Sequence, residues 1–121
     1  MSVTESSAVM HQYFAAMDRD EDFSVSFSED VTWLMVDSGQ EVRGPSAVRD
    51  YILELHGKMV SQQGGELAVS DHHAYLEGLS VRTQEVGGPT YSYCLVYDLD
   101  GGRISAMRCY GTLAALMAAP S

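Results

Sequence analysis

The stretch that decides the fold is residues 91–110, YSYCLVYDLDGGRISAMRCY. On each side of Asp100 and Gly101, aromatic and apolar residues recur at every second position, the period that is typical of β-strands. Asp-Gly is also one of the commonest two-residue hairpin loops. The stretch therefore predicts two long antiparallel strands joined at Asp100 and Gly101.

With that loop, Tyr93 lies opposite Arg108, and residues that lie opposite each other share one face of the sheet. We assign this face to the interior because it is apolar near the turn. Arg108 and Tyr93 would then hold a ligand oxygen, or Arg108 would instead anchor a carboxylate such as Glu77. The candidate ligand-binding residues of this face are Tyr93, Leu95, Tyr97, Arg108 and Tyr110.

The N-terminal part of the chain predicts two helices and a hairpin. Apolar residues recur three or four positions apart between Val9 and Met17, which indicates a first helix, and a short second helix follows near Phe23. Residues 31–43 alternate with a period of two, and Ser38-Gly39 is predicted to be the hairpin turn.

The middle of the chain predicts a third helix and a further strand. The helix opens at Pro45, in a position where the missing N–H is tolerated, and is expected to continue to Gly64. Its predicted buried face carries Val48, Ile52, Leu55 and Met59. Residues 66–85 predict a long strand bent near residues 71–73. Because helices and strands are segregated, we predict the α+β class, with a curved antiparallel sheet packed on three N-terminal helices in one domain over residues 1–121.

Composition excludes several classes of function. Seventeen acidic against seven basic residues give a net charge of −10 and no basic cluster, so we expect neither nucleic acid nor membrane as a partner. The N-terminus does not resemble a secretory signal, and no apolar stretch approaches the ~18 residues of a membrane span, which predicts a cytoplasmic protein. Cys94 and Cys109 lack metal-ligand spacing and are expected to be small buried side chains; we predict no metal and no other cofactor.

Three local patterns carry a resemblance to a known superfamily. They are Phe27-Ser28-Glu29-Asp30-Val31-Thr32-Trp33, Gly44-Pro45-Ser46-Ala47-Val48-Arg49-Asp50-Tyr51-Ile52, and Asp100-Gly101-Gly102-Arg103-Ile104 followed by Met107-Arg108-Cys109-Tyr110. In their order and spacing they resemble the nuclear-transport-factor-2-like superfamily, in its SnoaL-like and ketosteroid-isomerase-like branch. The resemblance implies a cone-shaped, cystatin-like α+β barrel with a hydrophobic pocket, a homodimer, and in some members isomerase, cyclase or dehydratase activity on lipophilic molecules.

Comparison with ketosteroid isomerases places one of three catalytic groups on a matching residue. Tyr13 lies within His11-Gln12-Tyr13-Phe14, which is similar to the helix that carries the oxyanion tyrosine of those enzymes. Their general-base aspartate falls on Met35, and their second aspartate falls near Leu95. The resemblance therefore does not imply steroid isomerisation here.

Other groups would have to move a proton if the chain is an enzyme. Glu77 stands between apolar neighbours and would be a general acid or base if it faces inward. In the alternative, Ala74, Leu76 and Gly78 face inward and Glu77 lies on the outer or dimer face. Asp37 lies two residues beyond the position of the missing base. His56 lies at the edge of the third helix and is either a proton shuttle at the pocket or an exposed histidine that the helix dipole favours.

Two functions remain open at this level. In one, Glu77, His56 or Asp37 catalyses a cofactor-independent acid–base reaction on a small lipophilic compound. In the other, a non-catalytic dimer binds such a compound. Both functions use the same predicted pocket. Besides the residues of the last hairpin, its predicted walls are Tyr13, Trp33, Met35 and Met59.

Overall fold

The computed structural model describes residues 1–63, 65–83 and 88–118. The elements are α1 (Val3–Asp18), a short 3-10 helix (Phe23–Ser26), β1 (Phe27–Met35), β2 (Glu41–Arg43), α2 (Pro45–Gly57), β3 (Met59–Gln63), β4 (Leu67–Val69), β5 (His73–Thr83), β6 (Thr90–Asp100), β7 (Arg103–Gly111) and α3 (Leu113–Ala118). Helices and strands are segregated, so the predicted α+β class is confirmed. None of the helices in these ranges is long and apolar enough to cross a membrane.

The two main helices begin where local chemistry favours a helix start. Ser2 caps α1 by accepting a hydrogen bond from the backbone N–H of Glu5, whose side chain accepts one from the backbone N–H of Ser2. Pro45 opens α2 after Gly44, whose φ of 92° is a left-handed conformation that favours glycine. The predicted start of the third helix is therefore correct.

The predicted end of that helix is wrong. Helix α2 ends at Gly57, and Met59 begins strand β3, which pairs antiparallel with β5. Val48, Ile52 and Leu55 are buried as expected, but Met59 reaches the core from a strand rather than from a fourth helical turn. The apolar spacing alone did not distinguish the two because one residue fits either period.

The strands form one curved sheet in the order β2-β1-β7-β6-β5-β3, with β4 paired to β5. Most neighbours are antiparallel, but β1 and β7 run parallel, with Trp33 opposite Met107 and Met35 opposite Cys109. The sheet is therefore mixed rather than wholly antiparallel. The expected bent strand over residues 66–85 is instead a β4–β5 hairpin that turns at residues 70–72. Residues 84 and 85 of the expected strand, and Gly87 of the predicted turn, lie outside the described residues.

The last hairpin is present, but its register differs from the prediction. Gly101 and Gly102 form the loop, with φ of 58° and 80°, so that Asp100 pairs with Arg103. Positive φ at both loop residues is the type I′ geometry that matches the twist of the strands, and two glycines adopt it without strain. A bulge then leaves Ser105 without a partner and reverses which residues of β7 face inward.

Candidate functional site

The concave side of the sheet and the helices enclose a cavity of about 230 Å³. Helices α1 and α2 cover one side, strands β1, β3, β5 and β6 form the other, and α3 contributes at one end. Most of the side chains that line the cavity are aliphatic or aromatic. They are Tyr13, Phe14, Met17, Asp18, Trp33, Ile52, Leu55, His56, Met59, Gln62, Leu76, Tyr93, Leu95, Tyr97 and Leu113.

Three tyrosines line this apolar cavity. Tyr13 projects from α1, and its ring centroid lies 6.1 Å from that of Tyr97 on β6. Burial raises the pKa of Tyr13 and of Tyr97, and it raises the pKa of Tyr93 to about 12. All three phenols therefore stay protonated at neutral pH and can donate a hydrogen bond. Gln62 on β3 donates its amide N–H to the Tyr93 hydroxyl.

Trp33 lines the cavity from β1, while its indole N–H is buried within the protein. Its indole ring is only 2 % exposed and packs 5.9 Å, between centroids, from the ring of Tyr51. No described group accepts a hydrogen bond from its Nε1–H. The sequence identified Trp33 as a pocket wall, but no pattern in it indicates whether the indole N–H has a partner.

Two titratable side chains stand where the cavity opens to solvent. His56, in the last turn of α2, lines the cavity and is exposed on its other side. The pKa of His56 is lowered because neighbouring side chains partly exclude water from the ring, so the neutral imidazole is favoured. Asp18, the last residue of α1, lines the same opening. Sequence reasoning missed it, although it follows Phe14 by one helical turn and thus continues the pocket side of α1.

Other candidate residues lie away from the cavity. Glu77 is exposed on the outer face of β5, because Ala74 and Gly78 of that strand are buried on the inner face. The alternative orientation considered for Glu77 is therefore the one adopted. Asp37 is exposed in the turn after β1, since Trp33 pairs with Val42 and leaves a loop longer than the two residues predicted.

The inward assignment of Arg108 and Tyr110 is wrong. The bulge at Ser105 places Arg108 opposite Val96 on the outer face, where its guanidinium binds Asp98, not Glu77 or Tyr93. Tyr110 is 44 % exposed on the same face.

Met35 is buried beside Cys109 and is not among the residues that line the cavity. Tyr93, Leu95 and Tyr97 face inward as expected, and their role as ligand contacts stays a prediction.

Comparisons with known proteins bear on the fold. The sequence matches no family model and no curated protein significantly. Its structure is similar to that of a nuclear-transport-factor-2-like protein from Burkholderia xenovorans, with a TM-score of 0.75 and 20 % identity over 100 % of this chain and 99 % of that chain. A ketosteroid-isomerase-like protein from Kribbella flavida gives a TM-score of 0.73 and 14 % identity over 90 % of this chain and 78 % of that chain. TerC, crystallised with polyporic acid, gives a TM-score of 0.69 and 10 % identity over 94 % of this chain and 96 % of that chain.

These likenesses cover nearly the whole chain at low sequence identity, so they establish the fold. The protein has the nuclear-transport-factor-2-like fold that the three sequence patterns predicted, and it shares this fold with a ketosteroid-isomerase-like protein. Because one fold supports many chemistries, the function has to be argued from the cavity itself.

Proposed function

We propose that this protein binds a small lipophilic molecule in the cavity between its helices and the concave side of its sheet. The observation that carries the proposal is a mostly apolar cavity of about 230 Å³ whose walls include three tyrosines and one tryptophan. Apolar walls with a small number of placed polar groups are typical of small-molecule sites. Glu77 and Asp37, the carboxylates predicted as catalysts, are exposed and absent from its walls.

The structural likeness to TerC is consistent with this proposal, since that protein was crystallised with polyporic acid. The likeness itself concerns the fold alone. It does not identify the ligand of this chain.

A pair of substitutions on one strand tests the binding site. Leu76 lines the cavity, whereas Leu79, three residues further along β5, is 52 % exposed on the outer face. Leu76→Phe adds bulk inside the cavity and is expected to weaken the binding of indane, a compact apolar probe, at least tenfold in titration calorimetry. Leu79→Phe adds the same bulk outside and is expected to retain wild-type affinity. Equal affinities for the two variants would overturn the proposed site.

A second candidate function is proton transfer, favoured by the position of His56. Its neutral imidazole borders the cavity, and the hydroxyls of Tyr13, Tyr93 and Tyr97 are protonated donors. A neutral base and a hydrogen-bond donor to a carbonyl oxygen together suffice to exchange a proton α to a carbonyl. In this candidate, His56 accepts the α-proton while a phenol hydrogen-bonds the developing enolate oxygen.

Deuterium exchange distinguishes catalysis from binding alone. Indanone carries exchangeable protons α to its carbonyl, and their loss in deuterium oxide is followed by proton NMR. Catalysis predicts faster exchange with the protein than without it, and a loss of that acceleration in His56→Gln. His11→Gln changes an exposed histidine of α1 and is expected to keep the wild-type rate. Exchange at the uncatalysed rate with indanone bound would leave binding as the function.

We also propose a homodimer, formed through the outer face of the sheet. Tyr75, Leu79 and Tyr110 are 41 %, 52 % and 44 % exposed there, and large apolar side chains on a strand surface are available to pack against a second subunit. A cytoplasmic location belongs to the same proposal, and it is supported by Cys94 and Cys109, which are free thiols.

A further inference from the structure

The carboxylate of Asp18 stands at the opening of the cavity without a partner. Its side chain lines the cavity and makes no hydrogen bond or ion pair within the part of the chain that the structure describes. Asp18 is also the last residue of α1, where the helix dipole places partial negative charge, and the last turn, residues 15–18, contains no basic residue. Arg19, the next residue, approaches Glu21 at 3.9 Å instead. A cationic group bound here would therefore offset the repulsion between the carboxylate and the helix end.

The charges around the opening favour a cation over an anion. Among the described residues, the cavity walls include neither lysine nor arginine, and the neutral form of His56 is favoured. A surface groove next to the opening shares His56 with the cavity and carries further carboxylates at Asp20, Glu21 and Asp22. Arg49 also lines this groove, but its nitrogens lie 3.3 and 3.1 Å from the oxygens of two acidic neighbours. The local potential is therefore negative, so it attracts cations and repels carboxylates and phosphates.

The interior of the cavity contains polar groups that the protein leaves unsatisfied. Tyr13 and Tyr97 are 2 % and 1 % exposed, and their hydroxyls have no hydrogen-bond partner among the described residues. In contrast to the enclosed indole nitrogen of Trp33, each of these oxygens keeps some accessible surface, on a side chain that lines the cavity. Since buried polar groups are normally paired, these hydroxyls are expected to meet a bound molecule.

An aromatic ring beside Asp18 adds a second attraction for a cation. Phe14 precedes Asp18 by one helical turn, so the two side chains lie on the same face of α1, and both line the cavity. The face of an aromatic ring attracts an ammonium group, and a carboxylate accepts its hydrogen bonds. Because the cavity is open at this end, the charged group keeps part of its hydration while an apolar body enters between the walls.

We infer that the ligand is a lipophilic amine, with its apolar body against the cavity walls and its ammonium group bound to the carboxylate of Asp18 at the opening. The inference rests on the proposed binding function and specifies the class of ligand for the same cavity. The hydroxyls of Tyr13 and Tyr97 are available for a polar atom of the ligand body.

Three probes with one framework separate the effect of charge from that of shape. Aminoindane is a cation at neutral pH, indanol is uncharged and indanecarboxylate is an anion, each with its substituent on the same carbon of indane. In titration calorimetry, we expect aminoindane to bind about tenfold more tightly than indanol, because hydrogen bonds between charged groups are the stronger ones. Indanecarboxylate is expected to bind more weakly than indanol.

A substitution tests whether the carboxylate of Asp18 is responsible. Asp18→Asn removes the charge without weakening the helix, since an anion is disfavoured at this end. We expect the preference for aminoindane to disappear and the affinity for indanol to stay unchanged.

The matched control is Asp100→Asn, which removes the same net charge at an exposed site on the last hairpin. The backbone N–H of Gly102, in the loop of that hairpin, donates to the sulfur of Met1, near the opposite end of the 16-residue helix α1. A helix of this length extends over about 24 Å, well beyond the screening length of about 8 Å at physiological salt. Asp100→Asn should therefore keep the preference for aminoindane.

The failures of the two proposals are distinguishable. If indane and indanol bind the wild-type protein and aminoindane binds no more tightly, the binding function stands and the amine inference is wrong. A preference for aminoindane that persists in Asp18→Asn would place the ammonium group elsewhere and overturn the inference as well. If neither indane nor any of the three probes binds, the proposed function fails, and the inference fails with it.

Discussion

The guanidinium of Arg108 donates two hydrogen bonds to the carboxylate of Asp98, at 2.6 and 2.9 Å, on the outer face of the sheet. His73 approaches the same carboxylate at 3.4 Å. Hydrogen bonds from Arg108 lower the pKa of Asp98 below its ordinary value. This contact joins β7 to β6 outside the cavity, so it should contribute to stability without contributing to ligand binding.

Removing the guanidinium of Arg108 tests whether this contact stabilises the fold without affecting ligand binding. Arg108→Met keeps much of the side-chain length but leaves Asp98 without its main partner, and we expect the free energy of unfolding to fall by about 1 kcal/mol in urea titrations. The affinity for indane should not change. Arg43→Met removes a more exposed arginine whose partner is Glu41, and it should cost less than about 0.5 kcal/mol. A large loss of indane affinity in Arg108→Met would contradict the outward placement.

The same pair has a defined pH dependence. The folded state lowers the pKa of Asp98. Its contribution to the free energy of unfolding is therefore complete above the ordinary aspartate pKa of about 3.9 and is lost as the pH falls through the lowered value. The difference in unfolding free energy between wild type and Arg108→Met should therefore shrink below about pH 4. A difference that stays constant down to strong acid would indicate that the variant acts by another route.

Gly78 is predicted to be indispensable for the position of Tyr93. A Cβ atom at Gly78 would collide with the ring of Tyr93. We expect Gly78→Ala to cost about 1–3 kcal/mol in unfolding free energy, a typical cost of overpacking a core. Gly57→Ala is the control, because nothing lies within 4 Å of a Cβ at that position.

A double variant identifies the clash as the cause. Once Tyr93 is replaced by Ala, the added methyl group at Gly78 has space, so the double variant should lose less stability than the sum of the single ones. Additive losses would mean that Gly78→Ala acts through something other than the ring of Tyr93.

His56 should make stability fall in mildly acidic solution. Its pKa is lowered in the folded state, so the unfolded chain takes up the proton first as the pH decreases. Stability should therefore decline as the pH falls below about 6.5, the ordinary histidine value, and His56→Gln should reduce that decline. Urea midpoints measured between pH 8 and 5 provide the test. His11→Gln, which leaves His56 in place, should retain the decline; an unchanged slope in His56→Gln would contradict the prediction.

The proposed dimer predicts that a charge on the outer face separates the subunits. Tyr110→Lys places an ammonium group on a side chain that is 44 % exposed there, and burying it in a dimer would be costly. We expect at least a tenfold weaker dimer in sedimentation velocity. Val25→Lys, at a 66 % exposed site in the 3-10 helix, is the control and should leave association unchanged. A monomeric wild-type protein would disprove the dimer.

The sequence predicted the class, the order of the elements as far as the start of the third helix, and about half of the cavity walls, because these depend on apolar periodicity and on turn residues such as Pro45 and Gly101. It did not predict which side chains of β7 face the cavity. Asp100-Gly101 and Gly101-Gly102 are both favourable loops, and moving the loop from one to the other shifts the pairing by two residues, which leaves the same side chains of β7 facing inward. The bulge at Ser105 adds one residue to β7 and thereby turns Arg108 from the cavity to the outer face. The position of a bulge depends on contacts across the whole sheet rather than on local sequence.

The positions of the titratable groups were similarly uncertain. Glu77 and Asp37 have neighbours that suit a pocket, but a shift of one residue reverses a side chain in a strand, and each of them faces solvent. For His56 the sequence left open a pocket position and an exposed position at the helix end, and the side chain is both exposed and at the edge of the cavity. Asp18 was missed because charged residues at helix ends are common and carry no distinctive signal.

The parallel pairing of β1 with β7 has a consequence for how the protein is made. Trp33 pairs with Val42 of the adjacent strand β2 on one side, but its partner on the other side, Met107, comes much later in the sequence. The central strands can therefore associate only after the residues through Met107 have left the ribosome, and until then one edge of β1 is open to other chains. Contacts so distant in sequence also slow folding. Newly synthesised molecules are thus expected to spend longer in a vulnerable, incomplete state than a helical protein of the same length.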